Sequence, residues 1–539
     1  MGLLTLIIIA LVVYGIAYSV YGSYLERVAD IDEKRETPAH SMNDGVDYVP
    51  ATAPVLLGHH FASIAGGGPI VGPIAAVVFG WLPCFIWIVL GCVFIGGVHD
   101  FFGLIGSARH KGLSVGEIIG QHVGKKARTW FLVFVWLALV LVVAVFAILV
   151  ANTFAANPPV ATASFLMLVI AMAMGFALYR AKANLVIVSI IGFVLLFLAI
   201  WVGLNAPFLV FSSSTWVWIL IVYIFFAASL PVWILLQPRD YLSSFLLYIA
   251  LAGGLIGILI VRPTMTYPAF TSFRTGSGLL FPMLFVIIAC GAISGFHSMV
   301  ASGTTAKQLN NEKDAKMIGY GAMLLEGILA VIALGTAAIL TKEGLQAGLA
   351  DWGGAVGVFA HGLGKFLAGL GIPEETGIVF GSLTISAFLL TSLDTATRLG
   401  RYAFEELTAE SMPALSNRYV GTIITVVAGG ALALTGQWAA IWPLFGSSNQ
   451  LLAGMALLGA SAWLAHLGKD IKVTYYPMVF MMIVTVAALI NLVFTNFGKG
   501  NVLLGVISVL LLILAAFVVY EGFQSINRFK EEALSAKTK

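Results

Sequence analysis

Charge is what this sequence lacks. Of its 539 residues only 10% are Asp, Glu, Lys or Arg, while 60% are apolar; a soluble protein carries about 25% charged residues. A mean hydropathy of +1.00 leaves too little polar surface to coat the several soluble domains that the length alone would suggest. Lipid is the solvent this surface requires. The net charge of +3 is small and its carriers are scattered, which excludes a nucleic-acid surface. Cysteine is scarce as well. Cys84, Cys92 and Cys290 all fall in apolar stretches, are odd in number and show no paired spacing. They give neither a disulfide framework nor a zinc pattern and are expected to be buried free thiols. No GxxxxGK[ST] run is present, which argues against ATP-driven pumping. Ahead of the apolar stretch Leu3 to Val20 there is no basic region, and after it no small-x-small site, so it reads as a retained span.

What the sequence has in quantity is membrane-length apolar runs. A span needs about 20 mostly apolar residues. That window gives fifteen candidates, at 3–22, 54–80, 82–106, 130–151, 161–179, 184–206, 216–236, 241–261, 281–303, 317–340, 376–396, 420–436, 440–466, 475–495 and 502–521. With the N-terminus outside, 23 Lys and Arg fall on the inner side and 5 on the outer, a bias kept along the whole chain. Arg239 and Arg398 are counted among the inner-loop residues. The polar stretches 23–53, 107–129, 341–375 and 397–419 are too short for separate domains. The chain is expected to be one polytopic membrane domain, with a core over 1–419 and further transmembrane helices of the same domain over 420–539.

Two spans break the rules of membrane helices. The first carries Gly58-His59-His60-Phe61-Ala62-Ser63-Ile64-Ala65-Gly66-Gly67-Gly68-Pro69, then Gly72-Pro73. Gly costs about 1 kcal/mol and Pro about 3 kcal/mol against Ala within a helix. Backbone opened at membrane depth survives only where protein or water satisfies it. The alternative is a kink packed through its small residues against a neighbour. The second span holds Gly295, His297, Ser298 and Gly303, repeating the spacing of Gly58, His60 and Gly66, and runs in the opposite direction. Paired interrupted helices in inverted repeats are how many secondary transporters build a midplane site, with half-helix N-termini facing an anionic group. His60, Ser63, Gly66, Gly67, Gly68, His297 and Ser298 are therefore the candidate substrate-binding residues.

Acidic residues inside spans are few: Asp100, Glu326 and Asp394. Charges there are expensive, which makes each a functional candidate. Asp394 lies in Thr391-Ser392-Leu393-Asp394-Thr395-Ala396-Thr397, a cluster able to ligate a hard cation or relay a proton. Thr391, Ser392, Asp394 and Thr395 are the candidate ion-coupling residues. The alternative is a solvated helix end with Asp394 paired to Arg398 one turn on. Asp100 reads as a helix-end pair near Arg109, and Glu326 as a polar contact between helices. His110, His122, His361 and His466 read as solvated. His59, His60, His99 and His297 lack tight metal spacing, so neither metal nor cofactor is expected.

Several runs resemble the carbon starvation protein A family. They are Asp47-Tyr48-Val49-Pro50, the GHHFASIAG run from Gly58 to Gly66, Gly97-Val98-His99-Asp100-Phe101, Gly112-x-Ser114-x-Gly116-Glu117, Ser294-Gly295-Phe296-His297-Ser298 with Ser302-Gly303-Thr304, and Thr391 to Arg398. The resemblance implies a bacterial inner-membrane carrier for peptides or pyruvate, made when carbon is scarce, with a proton or sodium as coupling ion. It also implies kinship with the amino acid–polyamine–organocation superfamily. The expected fold is accordingly an all-α polytopic membrane protein with a leucine-transporter-like inverted-repeat core and discontinuous helices. On that template 54–80 is the first core helix, 281–303 the sixth and 376–396 the eighth, although six spans lie between the two broken ones where the template has four. The partners expected are a small carboxylate or peptide, the coupling ion and the lipid bilayer, with no nucleic acid. Two other classes are an intramembrane metalloenzyme using His59, His60, His99, Asp100 and His297, and a channel. A channel needs a continuous polar lining, whereas the polar residues cluster at two breaks.

Overall fold

The computed structural model describes residues 2–44, 48–230, 234–409 and 412–538. Asp47 of the sequence motif lies outside the described residues. The described residues are almost entirely helical, apart from a short hairpin pairing Arg274–Thr275 with Gly278–Leu279 in a loop. Among the described residues ten helices are long and apolar enough to cross a membrane, or eleven if one bent pair counts as a span. Fifteen spans are thus not confirmed. The remaining expected positions do hold helices: Ser213–Ser229 and Arg418–Ala433 are short, Trp438–His466 is long but carries a polar run, and the stretch from Leu280 to Gly303 is interrupted.

Burial sorts the helices into a core and a periphery. In Lys125–Ala156 and Glu312–Ala338, 83% of the most apolar window is buried by protein, against 28% in Leu185–Asn205. The peripheral helices turn Val186, Ile190, Trp201 and Phe494 outward, where hydrocarbon makes exposed apolar surface costless. Two stretches read as polar loops are structured. Val115–His122 is a short helix capped by Ser114, whose hydroxyl accepts from the Glu117 N–H. Ala355–Ala368 is a buried helix against Glu374–Thr408, where Gly364 and Gly377 bring the two backbones into contact. His110, His122 and His466 are not separately solvated: His110 and His122 meet Nε2 to Nε2 at 2.8 Å, and the His466 ring lies 5.4 Å from that of His122. The three thiols are free and buried.

Both interrupted helices are present. Ala53–Ile64 and Gly68–Phe79 meet at a 46° bend. Leu280–Ile287 is separated from Gly295–Gly303 by seven non-helical residues. The breaks correct one reading. His60 precedes its break, whereas His297 follows its own. In an inverted repeat, equivalent residues fall on the same side of the break along the chain, so the shared Gly/His/Gly spacing is not the register of a repeat.

Candidate functional site

At the first break the backbone leaves the helix at Ala65, and Gly66 N–H turns back to the Ile64 carbonyl at 2.7 Å. The second half then starts at Gly68 with Pro69 in its first turn. Pro69 has no N–H, and Ile70 and Val71 donate to the Gly67 carbonyl, which leaves the Gly67 and Gly68 N–H groups without an intrahelical acceptor. Three neighbours press on the glycines. A Cβ on Gly66 would lie 2.4 Å from Ser392 Oγ, one on Gly67 2.2 Å from Leu389 Cδ2, and one on Gly68 2.5 Å from Cys290 Sγ. The break is therefore wedged between helix Glu374–Thr408 and the second break. The close packing expected of a small-residue kink and the opening expected of a site occur together.

The second break is satisfied by a helix that the sequence left without a motif. Trp438–His466 projects Gln450, whose amide donates to the carbonyls of Phe285 and Ile288, and Trp442, whose indole donates to Ile287 at 3.3 Å. Asn449 accepts the Phe296 N–H at 3.0 Å at the start of helix Gly295–Gly303 and donates to Ser294 Oγ at 3.0 Å. The run Gly446-Ser447-Ser448-Asn449-Gln450 inside an apolar span is the signal that identifies it.

Beneath the breaks lies a chain of buried ionisable groups. Asp100 Oδ1 accepts from His99 Nδ1 at 2.7 Å, and Asp100 Oδ2 from His297 Nδ1 at 2.8 Å. His297 Nε2 stands 3.2 Å from Glu326 Oε2, without the alignment of a hydrogen bond. All four side chains are excluded from solvent. Asp100 is thus no helix-end partner of Arg109, which pairs with Glu312 instead; the sequence shows only that Arg109 lies nearby in the chain. His60 is equally buried and binds Thr305 Oγ1 through Nδ1 at 2.8 Å, leaving Nε2 unpartnered. Ser63 hydrogen-bonds the His59 carbonyl at 2.8 Å, and Ser298 that of Gly295 at 2.7 Å. Neither histidine of the pair His60 and His297 faces lipid.

The candidate coupling segment reaches the same place. Ser392 is the residue against Gly66. Thr391 Oγ1 donates to Asp240 at 3.0 Å, and Thr395 is half-buried. Asp394 is fully buried, and its partner is not Arg398, whose guanidinium donates to the carbonyls of Ala227 and Leu230. Asp394 Oδ2 instead takes a close contact from Arg239 Nη1 and a 2.7 Å bond from the Tyr223 hydroxyl. Arg239, counted from sequence as an inner-loop cation, is buried to 0% exposure near the start of helix Leu236–Val261. Tertiary neighbours outcompeted the one-turn pairing. Among the described residues no group of three or more His, Cys, Asp or Glu side chains is arranged to hold a metal ion.

Comparison with known proteins agrees with this architecture. The Eremococcus coleocola manganese transporter superposes with a TM-score of 0.51 at 12% identity, covering 90% of this chain and 99% of that one, which speaks to fold alone. The Escherichia coli pyruvate/proton symporter BtsT is 35% identical, covering 90% of this chain and 81% of its own. The Escherichia coli peptide transporter CstA is 36% identical over 90% of this chain and 80% of its own, and its Bacillus subtilis namesake 33% identical over 96% of each. The family model for carbon starvation protein CstA matches residues 2–349 and 345–488, and this multi-pass membrane chain belongs to that family.

Proposed function

We propose that this protein is a secondary transporter that imports a small carboxylate, pyruvate or a short peptide, across a bacterial inner membrane in symport with protons. One observation carries the reading: the coupling segment touches the substrate break, Ser392 against Gly66. An ion bound at one changes the fit of a substrate at the other, which is what symport requires. The substrate lies against the opened backbone of Gly66, Gly67 and Gly68, within reach of the Gly67 and Gly68 N–H groups and flanked by His60, Ser63, His297 and Ser298. Asp100 holds His297 in place from behind. Thr391, Ser392, Asp394 and Thr395 form the coupling segment. A proton is favoured over sodium because the Arg239 guanidinium already occupies the cation position at Asp394. The relatives named as a pyruvate/proton symporter and as peptide transporters support both substrates.

Uptake of labelled pyruvate and of dialanine into proteoliposomes, under imposed proton or sodium gradients, tests the reading. Accumulation driven by the proton gradient is expected; transport driven by sodium alone refutes it. The chain is placed N-terminus outside and C-terminus inside. A thiol probe should then label Lys34→Cys only from the inner face and Lys499→Cys only from the outer, since the native thiols are buried. The reverse labelling overturns the orientation.

A further inference from the structure

Arg239 has the surroundings of an anion site whose occupant is built in. One guanidinium faces two carboxylates. Its Nε and Nη2 edge binds Asp240 Oδ1, at 3.2 and 2.8 Å, and its Nη1 binds Asp394 and the Tyr223 hydroxyl. Asp240 is held further by Thr391 and is 16% exposed. Asp394 is sealed, and its Oδ1 has no hydrogen-bond partner. A buried carboxylate oxygen without a donor is costly and is the weak point of the cluster. The charged and titratable groups facing Asp394 are Tyr223 on helix Ser213–Ser229, Arg239 and Asp240 on Leu236–Val261, and Arg398 on its own helix. His59, on the inner half of the first broken helix, lies within electrostatic reach of Asp240.

We infer that Arg239 is the residue that binds the substrate's carboxylate, and that Asp394 competes with the substrate for it until Asp394 takes up the coupling proton. The inference rests on the proton–carboxylate reading above and names the residues that execute it. A third carboxylate finds a donor on Arg239 only if one of the two present gives up its charge. Asp394 is the one with a bare, sealed oxygen to receive a proton, whereas Asp240 is partly exposed. On protonation an O–H bond forms on Asp394, its hold on Nη1 lapses, and the substrate carboxylate takes its place. On the inner side that O–H bond breaks, the proton passes to water, and the restored Asp394 carboxylate displaces the substrate from Arg239. Arg239 keeps a carboxylate at Nη1 in both states, so neither a bare guanidinium nor an excess anion has to cross. Proton and substrate then move together because each is needed for the other to be bound.

The test uses the full chain, in detergent for pyruvate binding and in proteoliposomes for flux. Wild-type affinity for pyruvate should fall by up to about tenfold per pH unit as Asp394 ionises. Asp394→Asn should bind pyruvate with no such slope and catalyse pyruvate exchange, yet lose accumulation driven by a pH gradient. Arg239→Gln/Asp394→Asn, which removes both charges of the pair together, should bind pyruvate at least about thirtyfold more weakly. It should also stop distinguishing dialanine from dialanine amide. Wild-type pyruvate affinity in the folded double variant, or the wild-type pH slope in Asp394→Asn, overturns the inference. If the double variant does not fold, the slope in Asp394→Asn decides alone. The underlying reading fails separately, when the wild-type protein itself shows no proton-driven uptake.

Discussion

The first break can be tested through Gly67, because its geometry separates packing from binding. Gly67 has φ −69° and ψ −16°, a conformation open to any residue, so alanine introduces no backbone strain there. What it introduces is contact. The new Cβ would fall 2.2 Å from Leu389 Cδ2 and 2.9 Å from Leu389 Cγ, and Leu389 is completely buried. Turning χ2 moves the methyls but not Cγ, so the helix or the whole side chain has to shift. Overpacking of this kind costs about 1–3 kcal/mol. Gly66→Ala differs: its Cβ would meet Ser392 Oγ at 2.4 Å but Ser392 Cβ only at 3.5 Å, and a hydroxyl rotates away. Gly67→Ala should therefore destabilise more than Gly66→Ala. Leu389→Ala alone should cost about 2–5 kcal/mol through the cavity it leaves. Combined with Gly67→Ala it should melt higher than Leu389→Ala by itself, since the added methyl fills part of that cavity and the two changes couple. Because Cβ points at Leu389, the Gly67 N–H stays free for substrate, and pyruvate uptake per folded molecule should return in the double variant relative to Gly67→Ala. The assays are thermal unfolding in detergent and proteoliposome uptake. Wild-type stability in Gly67→Ala, or uptake still lost in a stable double variant, would refute the reasoning.

Asp100→Asn keeps one acceptor for the two Nδ1–H donors of His99 and His297 and loses the other, and should cost about 1.5–3 kcal/mol, the range for a hydrogen bond to a charged group. As a positioning change it should raise KM for pyruvate while the pH-gradient dependence of uptake persists; an unchanged KM argues against His297 at the substrate. The third expectation concerns His122, at the end of helix Val115–His122. Burial, reinforced by His110 and His466, lowers the His122 pKa from its ordinary value to about 4. A His depressed in the folded state keeps its full contribution above the unfolded value of about 6.5 and loses it as pH falls from there towards 4. Thermal stability should decline over that window, and His122→Asn should flatten the decline; an equal slope in the variant would count against it.

Much was legible before the fold was known, because the relevant physics is local. The scarcity of charge required lipid, and glycine and proline at Gly66–Pro69 marked a helix that does not run through. Apolar flanks around Cys84, Cys92 and Cys290 placed the thiols inside. Ser392 and Asp394 stood out because hydroxyls and a carboxylate are costly at that depth. Partnership was a different matter. A sequence displays only neighbours along a helix, so the one partner it offered Asp394 was Arg398, four residues away, and the one it offered Asp100 was Arg109. The structure gives Asp394 to Arg239, 155 residues distant, and Asp100 to His297, 197 residues distant. It also brings Asn449 and Gln450 to a break that lies more than 150 residues earlier. Inside a membrane the opened backbone and the buried charge take whichever donors the packing of other helices delivers. That packing follows from the shapes of many spans at once, which no single stretch of sequence contains.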